Sequence, residues 1–128
     1  MSTHRDEFCR SIKEQHPVIS AKADVEYEKQ WGDDVDNEYY SYSWFESLAN
    51  AINKEMNREV PASEYQNLLA MISSAFESGD EAVRKSIDVA FIENLFWQVS
   101  PTKSASYWAA FPENLKRLYI DFHSRSPL

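Results

Sequence analysis

Glycine is almost missing from this chain, with only Gly32 and Gly79 among 128 residues. Tight β-turns rely on backbone with φ > 0, so so few glycines argue against a loop-rich β fold. They also leave no glycine-rich phosphate loop. Cysteine occurs once, at Cys9, which excludes an internal disulfide and points to a reducing cytoplasm. No apolar run approaches the ~18 residues of a membrane span. The opening Met-Ser-Thr-His-Arg-Asp-Glu is charged and precedes no apolar stretch, so no signal peptide is expected. Basic charge is short as well: 13 Lys and Arg face 21 Asp and Glu, for a net charge of −8. Direct binding to nucleic acid needs basic surface to neutralise phosphates, and this balance disfavours it.

The rest of the composition is that of a globular protein, at 43% apolar and 27% charged residues. A chain of this length is expected to form one domain over residues 1–128 and to remove roughly two thirds of its unfolded surface from water. Aromatic residues are abundant at 14%, with four Trp, seven Tyr and seven Phe.

The hydrophobic spacing is helical nearly throughout. Residues 4–15 place Phe8 and Ile12 on one face, and Pro17 disfavours helix at His16. A second helix is expected from a Ser20 cap to Trp31, stopped at Gly32, with a thin stripe of Ala23, Tyr27 and Trp31. Residues 33–37 form a polar, acidic loop. A third helix starts between Glu38 and Ser43 and runs to about Arg58, with Phe45, Leu48, Ala49, Ile52 and Met56 at three-four spacing. Ser63 and Gln66 resemble a capping box for a fourth helix that ends at Gly79. Asp80 caps a fifth, read to about Val99. Its two apolar stripes suggest the most buried, central element. Ser100-Pro101 and Pro112 open the sixth and seventh. Residues 124–128 are expected to fray. No internal repeat recurs. The expected fold class is all-α: a compact irregular bundle of six or seven helices.

Chemistry finds little support. His4, His16 and His123 are scattered and Cys9 is alone, so no zinc-site spacing exists. The loop Asp33-Asp34-Val-Asp36-Asn37-Glu38 invites comparison with a calcium loop, but Tyr39 stands where glycine is needed and Phe45 where a bidentate Glu is needed. Cys9 and His16 lie about two helical turns apart, roughly 10 Å, too far for a thiolate–imidazole pair. His123 near a helix C-terminus fits dipole stabilisation. No Gly-x-Ser-x-Gly or His-Glu-x-x-His motif occurs. The chain is therefore expected to be no enzyme and to need no cofactor and no metal.

Charge is instead concentrated. Residues 24–46 hold eight carboxylates against one lysine, a net −7 of the chain's −8. Seven aromatics are interleaved with them: Tyr27, Trp31, Tyr39, Tyr40, Tyr42, Trp44 and Phe45. An acidic field with rigid aromatic anchors suits the capture of a basic partner. Phe45 and Trp44 are expected in the core. Neighbouring helical side chains diverge by about 100°, so Tyr39, Tyr40 and Tyr42 cannot all face inward. The candidate partner-binding residues are Asp33, Asp34, Asp36, Glu38, Tyr39, Tyr40 and Tyr42. Phe96-Trp97, Tyr107-Trp108 and Phe111 are read as core rather than as a ligand pocket.

The stretch Ser86-Ile-Asp-Val-Ala-Phe-Ile-Glu-Asn-Leu-Phe-Trp97, with Ser78-Gly-Asp-Glu-Ala-Val83 before it, resembles an uncharacterised family of small helical bacterial proteins. Members of that kind resemble immunity proteins of contact-dependent growth inhibition and related polymorphic toxin systems. The resemblance covers the C-terminal half and brings no catalytic motif. It implies a cytoplasmic immunity protein that neutralises a cognate toxin domain. A nuclease toxin presents basic residues to its phosphate substrate, and carboxylates on a rigid scaffold could occupy that cleft. The alternative is a non-catalytic helical adaptor or a small-molecule-binding regulatory domain. The sequence sets no oligomeric state.

Overall fold

A computed structural model describes residues 3–34 and 37–128. Among them lie seven α-helices and no strand: α1 His4–Gln15, α2 Pro17–Trp31, α3 Tyr40–Asn57, α4 Gln66–Ser78, α5 Glu81–Lys85, α6 Pro101–Ala110 and α7 Glu113–His123. The fold is all-α, as the periodicity predicts.

Local chemistry accounts for most of the boundaries. Thr3 opens α1 with a reciprocal capping box: its hydroxyl accepts from the Asp6 amide and the Asp6 carboxylate accepts from the Thr3 amide. The start of α2 corrects the expectation of a Ser20 cap. Pro17 itself is the first helical residue, because its fixed φ and missing N–H suit that position. Ser20 is then buried within the helix. Gly32 ends α2 in a positive-φ conformation. Ser63 caps nothing either: Ala62–Tyr65 is a 3₁₀ turn that runs into α4 without a side-chain cap.

α2 and α3 form an antiparallel hairpin. Early α2 meets late α3 through Lys22 and Glu55, and late α2 meets early α3 through Tyr27 and Tyr40. α3 is the central element, with eleven of its eighteen residues buried. It takes the place expected for the fifth helix, because α1, α2, α6 and the 86–94 segment all pack around it.

That fifth segment departs furthest from its reading as one helix to Val99. Asp80 does cap α5, but regular α-helix ends at Lys85. A π-helical stretch follows at Ser86–Phe91, then a 3₁₀ turn at Ile92–Asn94. Leu95 is extended, and Phe96 and Gln98 adopt φ of 65° and 55°. The buried Asn53 of α3 holds this turn: its amide donates to the Asn94 carbonyl at 2.9 Å, and its carbonyl accepts the Phe96 amide at 2.7 Å. The left-handed residues turn Phe96 into a cluster with Trp108, Phe111 and Tyr119, at centroid distances of 5.3–5.9 Å. Trp97 is turned outward and is 64% exposed, a correction to its assignment to the core. No helix among the described residues is long and apolar enough to cross a membrane.

Candidate partner-binding surface

The acidic loop joins α2 to α3 and is pinned from three sides. The Tyr27 hydroxyl donates to the Asp34 carbonyl at 2.6 Å, and the Asn37 amide donates to the same oxygen at 3.0 Å. The Asn37 side chain also accepts the Tyr39 amide at 2.9 Å, an Asx-type turn that leads into α3. From α1, the Arg5 guanidinium donates to the Glu38 carbonyl. The backbone is thus held at Asp34, Glu38 and Tyr39, while the side chains of Asp33, Asp34 and Glu38 stay exposed. None of these three carboxylates has an ion-pair partner among the described residues. Asp36 lies outside the described residues.

The three tyrosines point to different surroundings. Tyr39 is 62% exposed and stands beside the carboxylates. Tyr40 is half-buried and meets Tyr27 edge-on at 4.8 Å, while the Lys13 ammonium donates to its hydroxyl. Burial pushes the Tyr40 hydroxyl above its ordinary pKa, against the pull of Lys13. Tyr42 is also half-buried, with the Arg5 guanidinium 5.8 Å above its ring. Tyr39 is therefore the outward ring of the three, while Tyr40 packs against Tyr27 and Tyr42 lies under Arg5. Trp31 is 48% exposed at the end of α2 rather than part of the buried stripe. Trp44 is buried as expected and donates its indole N–H to Asp24 at 2.8 Å.

Not every carboxylate of the segment is available. Asp24 is paired with Lys13 and Trp44, and Glu26 with Lys54 and Lys29. A second group of acids lies near Tyr42. Tyr42 is raised by burial and then by the nearby charges of Glu46 and Glu93. Glu93 is raised by burial and then by Asp88, and Asp88 by burial and then by Asp121. Glu46 is raised by burial alone. Sequence reasoning missed this second group. A π-helical stretch closes i→i+5 hydrogen bonds, so a 3.6-residue helical wheel does not place Asp88 and Glu93 correctly.

Two cavities adjoin the loop and share Tyr40 as a wall. One, about 330 Å³, lies between Asp24, Glu28, Asp33 and the Tyr27 ring. The other, about 340 Å³, is bounded by Asp6, Lys13, Asn37 and Cys9. Cys9 is buried there, and desolvation pushes its thiol up to about 11, so little thiolate forms at neutral pH. Burial lowers the pKa of His123, which weakens the dipole role expected of a charged imidazole. The chemistry of the surface is that of fixed negative charge beside a rigid, amphipathic ring.

No curated protein and no solved structure matches this chain. One family model matches, over residues 9–125, and so covers the whole hairpin, its acidic loop and the 86–98 turn. The chain therefore belongs to the family described as a domain of unknown function, DUF7674.

Proposed function

We propose that this chain is an immunity-type protein that binds and neutralises a cognate, basic, nuclease-type toxin domain. The observation that carries the reading is the loop itself: Asp33, Asp34 and Glu38 are exposed and without ion pairs among the described residues, and Tyr27, Asn37 and Arg5 hold the backbone at Asp34 and Glu38. Fixing the charges before contact reduces the ordering cost of binding. Carboxylates so placed can occupy a cleft built for phosphates, and opposite charge steers association towards ~10⁸–10⁹ M⁻¹s⁻¹ at low salt. Tyr39 supplies contact area with a polar tip. The resemblance of Ser86–Trp97 to an uncharacterised helical family, whose members resemble immunity proteins, supports the same reading. Inhibition by occupation requires no catalytic group, cofactor or metal.

The test is co-production with any toxin domain found encoded beside this chain, together with measured binding. Converting Asp33, Asp34, Asp36 and Glu38 to their amides is expected to weaken the complex about a hundredfold or more and to flatten its salt dependence. Growth protection should fall in parallel. Unchanged affinity in the fourfold amide variant would refute capture by this loop. Absence of any toxin-encoding neighbour would favour an adaptor.

A further inference from the structure

Towards the far end of the α2–α3 hairpin lies a groove of about 240 Å³ whose charges are arranged in two layers. The apolar contacts come from Val25 and Ala51. The inner layer is anionic: the Glu55 side chain is 3% exposed and that of Glu26 13%. Both carboxylates are ion-paired and hydrogen-bonded. One Glu55 oxygen accepts Lys22 at 2.8 Å and Arg58 at 3.0 Å, and the other accepts the Tyr65 hydroxyl at 2.8 Å. Glu26 takes Lys54 at 2.7 Å and Lys29 at 3.4 Å.

The outer layer is cationic, formed by Lys22, Lys29, Lys54 and Arg58. Their side chains are far more exposed than the acids they cover. One cation per carboxylate would neutralise the inner layer, and each carboxylate has two. The groove therefore carries a local charge of +2 on a chain of −8. An ammonium has three N–H donors and a guanidinium five, so donors remain after the inner acids are satisfied.

We propose that this groove binds a small organic acid: a carboxylate on a short apolar stem. The carboxylate meets the spare donors of the rim, with Arg58 offering a planar fork. The stem lies on Val25 and Ala51. The groove is smaller than the ~300–1,000 Å³ usual for drug-sized ligands, which selects a short acid over a nucleotide-sized one. The rival is a purely structural role, in which the four cations only compensate two buried acids. This assignment is independent of the acidic loop.

The test is an NMR titration of the full chain with hexanoate, with hexan-1-ol as the uncharged control. Hexanoate is expected to saturate with Kd of order 1 mM, shifting the amides of Val25, Ala51, Lys54 and Arg58. Hexan-1-ol should bind at least about tenfold more weakly, since it lacks the charge that the rim recognises. Val25→Phe fills the groove from an exposed position and should abolish the shifts while preserving the rest of the spectrum. Lys29→Gln, which removes the most loosely paired cation, should weaken binding severalfold and serves if Val25→Phe fails to fold. Non-saturating or scattered shifts, equal response to hexan-1-ol, or binding untouched by both variants would leave the cations as structural and overturn the proposal. Preferential binding of a peptide with a free C-terminal leucine carboxylate, abolished by amidation, would assign the groove to a protein terminus and overturn the free-acid reading.

Discussion

Gly32 and Gly79 both end helices, yet they are glycine for unlike reasons. Gly32 has φ +68° and open space around a would-be Cβ, so its constraint is backbone conformation. Gly79 has φ −75°, which any residue adopts, but a Cβ there would lie 2.5 Å from the Ala75 carbonyl oxygen and 2.7 Å from a Val83 methyl. Gly79→Ala is expected to destabilise the fold by about 1–3 kcal/mol through overpacking, measured by urea denaturation. Both glycines are legible in the sequence as stops; only the packing separates their causes. Glu55 shows the same limit, since nothing in its spacing announces a buried carboxylate with three partners. Burial pushes its carboxyl up, but Lys22, Tyr65 and Arg58 outweigh that and hold it below its ordinary 4.5. A depressed carboxyl contributes stability that is present above the unfolded value and lost as pH falls through the folded one. Glu55→Gln should therefore cost about 3 kcal/mol at pH 7 by leaving two cations poorly matched, and the deficit should shrink below pH 4.5 in a pH series of urea melts. Asp88 and Glu93 carry the opposite sign. Their raised folded pKa contributes stability below the ordinary carboxylate range and loses it as pH rises through the raised values. The double change Asp88→Asn and Glu93→Gln should thus stabilise the protein at neutral pH, by less than about 1 kcal/mol, and should give no advantage in acid.

At the scale of elements, α1, α3, α4, α6 and α7 follow from periodicity, caps and prolines to within a residue or two. The 86–98 segment does not. Its apolar residues satisfy a helical pattern, and Ile87, Phe91, Ile92, Leu95 and Phe96 are indeed buried. What breaks the helix is a side chain far away in sequence: Asn53 takes over the hydrogen bonds that would otherwise continue it. A local pattern carries no trace of a partner some forty residues upstream. Asn53→Ala is expected to cost about 1–3 kcal/mol, since it leaves the Phe96 amide and the Asn94 carbonyl without partners in a buried site. Hydrogen exchange at the Phe96 amide should accelerate selectively, before global unfolding. Unchanged protection there would mean that the turn holds itself. Two left-handed residues flanking an exposed tryptophan store strain of order 1–3 kcal/mol each, and the Asn53 clamp opposes its release.

Across the whole molecule, the charge total was plain in the sequence but its partition was not. Asp24 and Glu26 are neutralised by lysines of α1, α2 and α3, whereas Glu46 and Glu93 lie near Tyr42, Asp88 near Glu93 and Asp121 near Asp88. A linear count credits the first pair to the surface and misses most of the second group. The all-α architecture follows from hydrophobic spacing, because amphipathic stripes demand mutual burial whatever their order. The exposures of the tryptophans carry a further consequence. Trp44 is sealed in the core, whereas Trp31 and Trp97 meet solvent at different places, one beside Asp33 and the other on the turn tethered through Asn57 to Lys103. Fluorescence quenchers of opposite sign should tell them apart without labelling. Caesium ions collect near the carboxylates and should dim Trp31, while iodide is repelled there and should dim Trp97. A basic protein seated on the acidic loop would then shield the caesium-sensitive emission and leave the iodide-sensitive emission in place, so the protein carries its own optical record of which side has been covered.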